Sequence, residues 1–374
     1  METQTKIWLS SPHIGSNELI YVHQAFDTNW VAPLGPNVDL FEKALENYLC
    51  QDKQIAALST GTASLHLALK LLDVSYGDTV ICQSFTFAAS ANPITYLGAT
   101  PIFVDSEPET WNISPDLMER AILESISNGK KPKAIIAVHL YGMPYKVDEI
   151  HEIALKYGIP VVEDSAESLG SSYKNQKCGT FGEMAILSFN GNKIITTSGG
   201  GALVLNNEEL KKKTIFLATQ ARDNAPHYQH SQIGHNYRMS NVLAGIGRGQ
   251  MEVLNERVWA RRNIFDYYRE HLSVFDFFEF QEETSSSFSN RWLTCILTPS
   301  LEARESIRLA LLQENIESRP LWKPLHMQPV FQNSPAVVDG TSESLFDRGL
   351  CLPSGSNLSQ EDLERIVSII KHTI

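Results

Sequence analysis

Residues 184–207 read MAILSFNGNKIITTSGGGALVLNN. Apolar runs at the two ends enclose Gly191 and the triplet Gly199, Gly200 and Gly201. That pattern predicts two buried strands flanking a tight turn that another part of the chain approaches closely. Lys193 is the only charged residue in the stretch. Lysine is rarely buried without a partner. An amine kept among apolar and small neighbours is poorly solvated, which favours the neutral form that attacks a carbonyl. A solvated turn lysine is the ordinary alternative; these surroundings make Lys193 a candidate for covalent chemistry.

Working outward, short apolar runs alternate with amphipathic segments from Ile55 to Val204: IAAL, TASLHLALKLL, TVICQ, FAASANPITYL, PIFVD, KAIIAV, VDEIHEIALKYG and IPVVEDS. This alternation predicts an α/β layer around a mostly parallel sheet. After about Ser240, NVLAGIGRGQMEVLNERVWARRNIFDYYREHL predicts a long helical stretch, charged on one face in its second half and joining two domains. Beyond it, SNRWLTCIL, ESIRLALLQENI, IESRPLW and EDLERIVSIIKHTI predict a smaller α+β domain. The expected division is 1–254 for an N-terminal arm and large domain, and 255–374 for the small one.

The chain has 374 residues, 43% of them hydrophobic and 20% charged, enough for a substantial globular core. Its 31 Lys and Arg against 43 Asp and Glu leave a net charge of -12, which argues against an extended nucleic-acid contact but permits a local anion pocket. Five widely spaced cysteines without a CxxC argue against a disulfide framework or zinc site and fit a reducing cytoplasm. METQTKIWLSSPHIG lacks an apolar core of signal-peptide length, and no apolar run is long enough to cross a bilayer. The expected setting is therefore cytoplasmic, away from membranes.

In IAALSTGTASLHLALKLL a strand, a Ser/Thr/Gly turn and a helix follow one another, placing backbone N–H groups and the positive end of a helix dipole where an anion binds. Ordinary capping by Ser59, Thr60 or Thr62 is the alternative. No GxxxxGK[ST] occurs, and the glycine triplet does not open a helix as GxGxxG does. In IPVVEDSAES, Asp164 ends an apolar strand, where open α/β sheets bind ligands. Its carboxylate can cap a helix, hold Mg²⁺ or pair with a protonated ring nitrogen; the lack of a Walker loop weakens the Mg²⁺ reading. Pyridoxal 5'-phosphate needs an amine, a carboxylate, an anion cradle and an apolar surface for its ring. Lys193, Asp164, the turn at 61–64 and Phe87 in QSFTFAAS offer these, although Phe87 reads equally well as core. His227, His230 and His235 in HYQHSQIGH match a metal-ligand spacing only loosely, with no Cys nearby and a glycine before the third, and no metal is expected there.

GTASLHLAL, QSFTFAASANPI, VHLYGMPYKVDEI, VVEDSAESLG, LSFNGNKIITTSGGGALV and GHNYRMSNVLAGIG, in this order, resemble the DegT-type pyridoxal-phosphate aminotransferases, which aminate nucleotide-linked keto sugars. With WVAPLGP, RPLWKPLHMQP and CLPSGSN, the resemblance spans nearly the whole chain. It implies an α/β aspartate aminotransferase fold (fold type I), with a large cofactor domain and a small C-terminal one. It makes Lys193 the Schiff-base lysine and Asp164 the partner of the pyridine nitrogen, and gives Phe87 the ring-stacking place. Thr62, Ala63 and Ser188 match phosphate contacts, and Asn236 matches one supplied by the neighbouring subunit of a homodimer with active sites at its interface. Glu167 stands near the ring hydroxyl, where many members have Gln or His. SGGG stands in place of the GEGG or GDGG of many relatives. Trp30, Arg238 and His326 are the expected substrate contacts, with Arg222, Arg319 and Lys323 as further sources of positive charge. The implied reaction takes an amino group from L-glutamate to a nucleotide-linked 4-keto-6-deoxy sugar. The bacterial exopolysaccharide and glycan subgroup points to UDP-2-acetamido-2,6-dideoxy-4-keto-hexose. A GDP-4-keto-6-deoxymannose or 3-keto sugar is the alternative, followed by a non-catalytic regulatory relative. Family dehydratases replace the lysine with histidine, so Lys193 argues against that activity.

Overall fold

The computed structural model describes residues 5–374; the first four residues of the expected N-terminal arm lie outside them. The alternating segments build an eight-stranded sheet. Its spatial order is Gln54–Leu58, Gly201–Leu205, Met184–Ser188, Val161–Asp164, Ala134–Val138, Thr79–Gln83, Thr100–Val104 and Ala336–Val337. Gly201–Leu205 runs antiparallel to both of its neighbours, and every other pairing is parallel. All five residues of Ala134–Val138 are buried, as a strand covered on both faces requires. Successive side chains point to opposite faces. Ala134 and Ile136 join a cluster with Leu65 and Leu69 of the helix Gly61–Leu71, while Ile135 and Ala137 join one with Met118 and Ile150 of the helices Pro115–Ser127 and Val147–Tyr157. Each fully buried aliphatic side chain contributes about 1.5–3 kcal/mol.

Three expectations change in the folded chain. FAASANPITYL yields only a turn of 3-10 helix at Ala88–Ser90 and the short helix Asn92–Tyr96. The long helical stretch is two helices, Asn241–Glu252 and Leu254–Leu272, separated at Val253, whose φ of -110° and ψ of 4° leave the helical region. Gly247 in the first packs under Phe41, where a Cβ would come within 2.7 Å of the ring. The charged second half is not all solvent-facing either. Arg261 is fully buried, bonding the Trp292 carbonyl and Ser10 Oγ, and burial brings its pKa down to about 9, with Arg257 adding to the effect.

After Val253, the strands Glu279–Phe280, Thr294–Leu297, Gly349–Leu352 and Arg319–Pro320 form an antiparallel sheet. Residues of the helices Leu254–Leu272, Leu301–Gln313 and Gln360–Thr373 share a core with it. The expected division at 254/255 lies one residue into the second helix, and among the described residues strand and bridge pairing crosses it in three places. Ile7 bridges to Ile316, Ser287–Phe288 pairs with Ser172–Tyr173, and Ala336–Val337 adds an edge strand to the large sheet. No helix among the described residues is long and apolar enough to cross a membrane.

Candidate active site

The first turn of the helix Gly61–Leu71, the carboxyl ends of Val161–Asp164 and Met184–Ser188, and the turn carrying Lys193 border one cleft of about 340 Å³. Thr62, Phe87, Asp164, Glu167, Ser188 and Lys193 all line it. It opens at the carboxyl ends of parallel strands, where such sheets bind ligands.

Of the candidate capping residues, Thr60 caps the helix: its backbone is extended and its Oγ1 accepts the Ala63 N–H at 2.9 Å. Ala63 therefore spends its amide on the cap and does not border the cleft. The turn lies directly against Gly201, where a Cβ would sit 2.3 Å from the carbonyl carbon of Thr60 and 2.4 Å from the nitrogen of Gly61. Only glycine permits that approach. The last glycine of SGGG thus serves packing, while Gly199 and Gly200 border the cleft.

Asp164 is nearly buried and doubly held. Ser90 Oγ donates to its Oδ2 at 2.6 Å and the Ala166 N–H to its Oδ1 at 3.2 Å; Thr86 and Ser90 are themselves linked through their hydroxyls at 3.0 Å. Lys193 is isolated along the chain but not in space: its Nζ lies 3.6 Å from Glu167 Oε1 and 4.1 Å from the centre of the Trp292 ring. Glu167 accepts the Tyr141 N–H at 2.7 Å. Burial pushes its carboxyl above the usual glutamate range, against the opposing pull of the Lys193 ammonium and the Tyr141 amide. Phe87 is 53% exposed, so it is a wall of the cleft rather than core, and its ring meets Trp322 at 5.2 Å.

Besides Ala63, the expected residues Asn236, Arg238, Trp30 and His326 do not border the cleft of their own chain, and neither do Arg222, Arg319 and Lys323. Asn236 is exposed, on a segment that bridges back to Thr219. Nη1 of Arg238 is held by the Glu42 carboxylate and the Ala57 carbonyl. Trp30 is 39% exposed on the surface, and its carbonyl accepts from Asn241. Both ring nitrogens of His326 are engaged, by Ser84 Oγ at 2.7 Å and Glu343 Oε1 at 3.2 Å. The three neighbouring histidines diverge: His227 meets Gln229, His230 meets the Gln220 carbonyl, and His235 stacks on Tyr237. Ser90 and Trp292 escaped the sequence reading. Ser90 lies inside QSFTFAAS and was open to notice as a donor near a strand end; nothing in the sequence joins Trp292 to Lys193.

An amine, a buried carboxylate pinned by two donors, a helix N-terminus and an exposed aromatic face fit pyridoxal phosphate, whose ring and phosphate need those groups. The model of the DegT/DnrJ/EryC1/StrS aminotransferase family matches residues 12–371. The Bacillus subtilis EpsN protein, named as a pyridoxal phosphate-dependent aminotransferase, is 52% identical over 98% of this chain and 95% of its own length. The GDP-perosamine synthase of Escherichia coli O157:H7 is 37% identical over 94% of each chain. Among solved structures, a family aminotransferase from Brucella abortus superposes with a TM-score of 0.89 at 30% identity over 95% of each chain. The Streptococcus pneumoniae protein Spr1654, named as a sugar aminotransferase and solved in its PMP form, superposes at 0.91 with 27% identity, over 99% of this chain and 98% of that one. This chain belongs to the DegT/DnrJ/EryC1/StrS family and is a pyridoxal phosphate-dependent aminotransferase of fold type I.

Proposed function

We propose that this enzyme transfers the amino group of L-glutamate to UDP-2-acetamido-2,6-dideoxy-4-keto-hexose, giving the 4-amino sugar for a bacterial surface polysaccharide or glycan. Action on a nucleotide sugar follows from the family and its relatives. The choice of sugar rests on the SFNGNKIITTSGGG form of the lysine segment together with WVAPLGP and RPLWKPLH, which resemble the subgroup serving bacterial exopolysaccharide and glycan synthesis. One observation carries the chemistry: Lys193 Nζ, the pinned Asp164 carboxylate and the first turn of the helix Gly61–Leu71 face a common cleft.

Pyridoxal phosphate, when bound, supplies the aldehyde that exchanges amines and the ring that accepts electrons. On this reading Asp164 would hold the proton of the ring nitrogen, with Ser90 and the Ala166 amide keeping its carboxylate in place. Ser188, the Thr62 side chain and the amides of Gly61 and Thr62 would bind the phosphate, aided by the helix dipole. Phe87 would cover one face of the ring. Lys193 Nζ would hold the cofactor at rest, then remove the proton from the donor's α-carbon and later deliver one to the sugar carbon. Glu167, beside that amine, would lie near the ring hydroxyl.

The same cleft supports a homodimer. Among the described residues it is bordered by Lys193, Asp164 and Glu167 as its charged groups and by no arginine. A diphosphate-linked sugar needs more positive charge than that. With Arg238 held by Glu42, an exposed loop of a second copy, carrying Arg222 and Asn236, is the proposed supplier.

The identity to GDP-perosamine synthases supports a second reading, a GDP-4-keto-6-deoxymannose acceptor. Competition assays with mass spectrometry of the products decide between them. A higher kcat/KM for the UDP acetamido sugar is expected; preference for the GDP sugar selects the second reading, and amination at C3 rejects the proposed sugar orientation.

A further inference from the structure

Lys193, Glu167, Tyr141 and Trp292 touch one another in a closed ring. Lys193 Nζ lies 3.6 Å from Glu167 Oε1, and Glu167 Oε2 accepts the Tyr141 N–H at 2.7 Å. The Tyr141 ring lies nearly parallel to that of Trp292, at 17° and 6.4 Å between centres, and the Trp292 ring sits 4.1 Å below Lys193 Nζ. Tyr141 is the member that engages both supports of the amine. On its other side it lies parallel to Trp322, at 9° and 6.2 Å, and its hydroxyl accepts the Trp322 N–H at 2.9 Å. Trp322 in turn meets Phe87 on the cleft wall.

Tyr141 is 1% exposed, and its φ of 55° and ψ of 19° put it in the left-handed region. A bulky side chain held there is strained, and such strain persists only where the surroundings over-determine it. The left-handed backbone accompanies two simultaneous contacts from one residue: its N–H points at Glu167 while its ring enters the Trp292–Trp322 stack. Trp292 and Trp322 come from the C-terminal part of the chain and Glu167 from the large sheet's side, so Tyr141 joins the two halves of the cleft.

We propose that Tyr141 is a positioning residue that sets the place of the Lys193 amine, through Glu167 and Trp292, and separately the place of the Trp322 wall, through its hydroxyl. This rests on the reading of Lys193 as the amine that carries cofactor and proton. The two roles divide between variants. Tyr141→Phe keeps the backbone and the ring and loses only the hydroxyl. Its half-reaction with glutamate should stay within about two-fold of wild type, while KM for the keto sugar rises about five-fold, the weight of one neutral hydrogen bond. Tyr141→Leu keeps the amide and loses the ring plane. It should slow the glutamate half-reaction at least ten-fold, and the labelling rate of Lys193 by an amine reagent, read by mass spectrometry in cofactor-stripped protein, should change several-fold.

Borohydride reduction of the wild-type holoenzyme, followed by peptide mapping, tests the underlying reading separately: a pyridoxyl group on another lysine rejects that reading, not the geometry. With the group on Lys193, a folded Tyr141→Leu with wild-type half-reaction and labelling rates overturns the proposal. So does Tyr141→Phe slowing the glutamate half-reaction or leaving the sugar KM unchanged; where Tyr141→Leu does not fold, Tyr141→Met, which likewise keeps the amide and loses the ring plane, takes its place with the same expected and overturning results.

Discussion

Asp164 and Glu167 stand three positions apart yet live in opposite circumstances. Asp164 takes donors on both oxygens, from Ser90 and the Ala166 amide, which hold its carboxyl group in place. On the role proposed for it, Asp164→Ala should retain some cofactor, read by absorbance, and lose on the order of a hundred-fold or more in kcat, as when a preorganised electrostatic group is removed. Near-normal turnover would take Asp164 out of the mechanism. Glu167 is buried, and its carboxyl is raised above the usual range. A carboxyl raised in the folded state binds its proton more tightly there than in the unfolded chain. Its contribution to stability is complete below the unfolded value of about 4.3 and is lost as pH rises through the higher folded value. Urea midpoints of cofactor-stripped protein should therefore fall across that window in the wild type, and the fall should be smaller in Glu167→Gln. Equal slopes would mean that Glu167 titrates as an ordinary glutamate. Both carboxylates were legible in VVEDSAES as candidates, but the pinning of one and the burial of the other depend on Ser90 and Tyr141, which no spacing connects to them.

At the scale of elements, the site depends on how closely the Thr60–Gly61 turn lies against Gly201. An added methyl there has no room, with backbone atoms 2.3 and 2.4 Å away. Gly201→Ala should cost about 1–3 kcal/mol in a denaturant titration, the usual range for overpacking, and weaken cofactor retention by displacing the helix N-terminus. A variant as stable as wild type, with full cofactor content, would show that the turn yields. The glycine-rich segment announced a close approach in the sequence but not which backbone makes it. Strands such as Ala134–Val138 were legible because burial on both faces demands continuous apolar runs. Ala336–Val337 was not, because two residues pairing at a sheet edge leave no periodicity. The break at Val253 was hidden for a related reason: helical spacing continues through it while one residue departs from helical φ and ψ.

For the whole molecule, the proposed dimer makes the sharpest demand. Asn236 is exposed and does not border its own chain's cleft, where Lys193 is the only cation among the described residues. Mixing two inactive variants, Lys193→Ala and Asn236→Ala, should restore activity in heterodimers, because one of the two sites then carries both intact residues. No recovery between variants shown to exchange subunits, or full activity of a monomer at high dilution, would reject shared sites. The sequence by itself determined the α/β layer, the strand that ends at Asp164, the helix N-terminus at the Ser/Thr/Gly turn and the candidacy of Lys193. Each follows from local periodicity, capping chemistry or composition, which are written in neighbouring residues. The tertiary structure alone decided that Lys193 meets Glu167 and Trp292, that Arg238 is bound to Glu42 and that His326 is held by Ser84 and Glu343. Those contacts join residues far apart in the chain, and only the packing of the folded molecule determines which distant side chain each charge or ring will face.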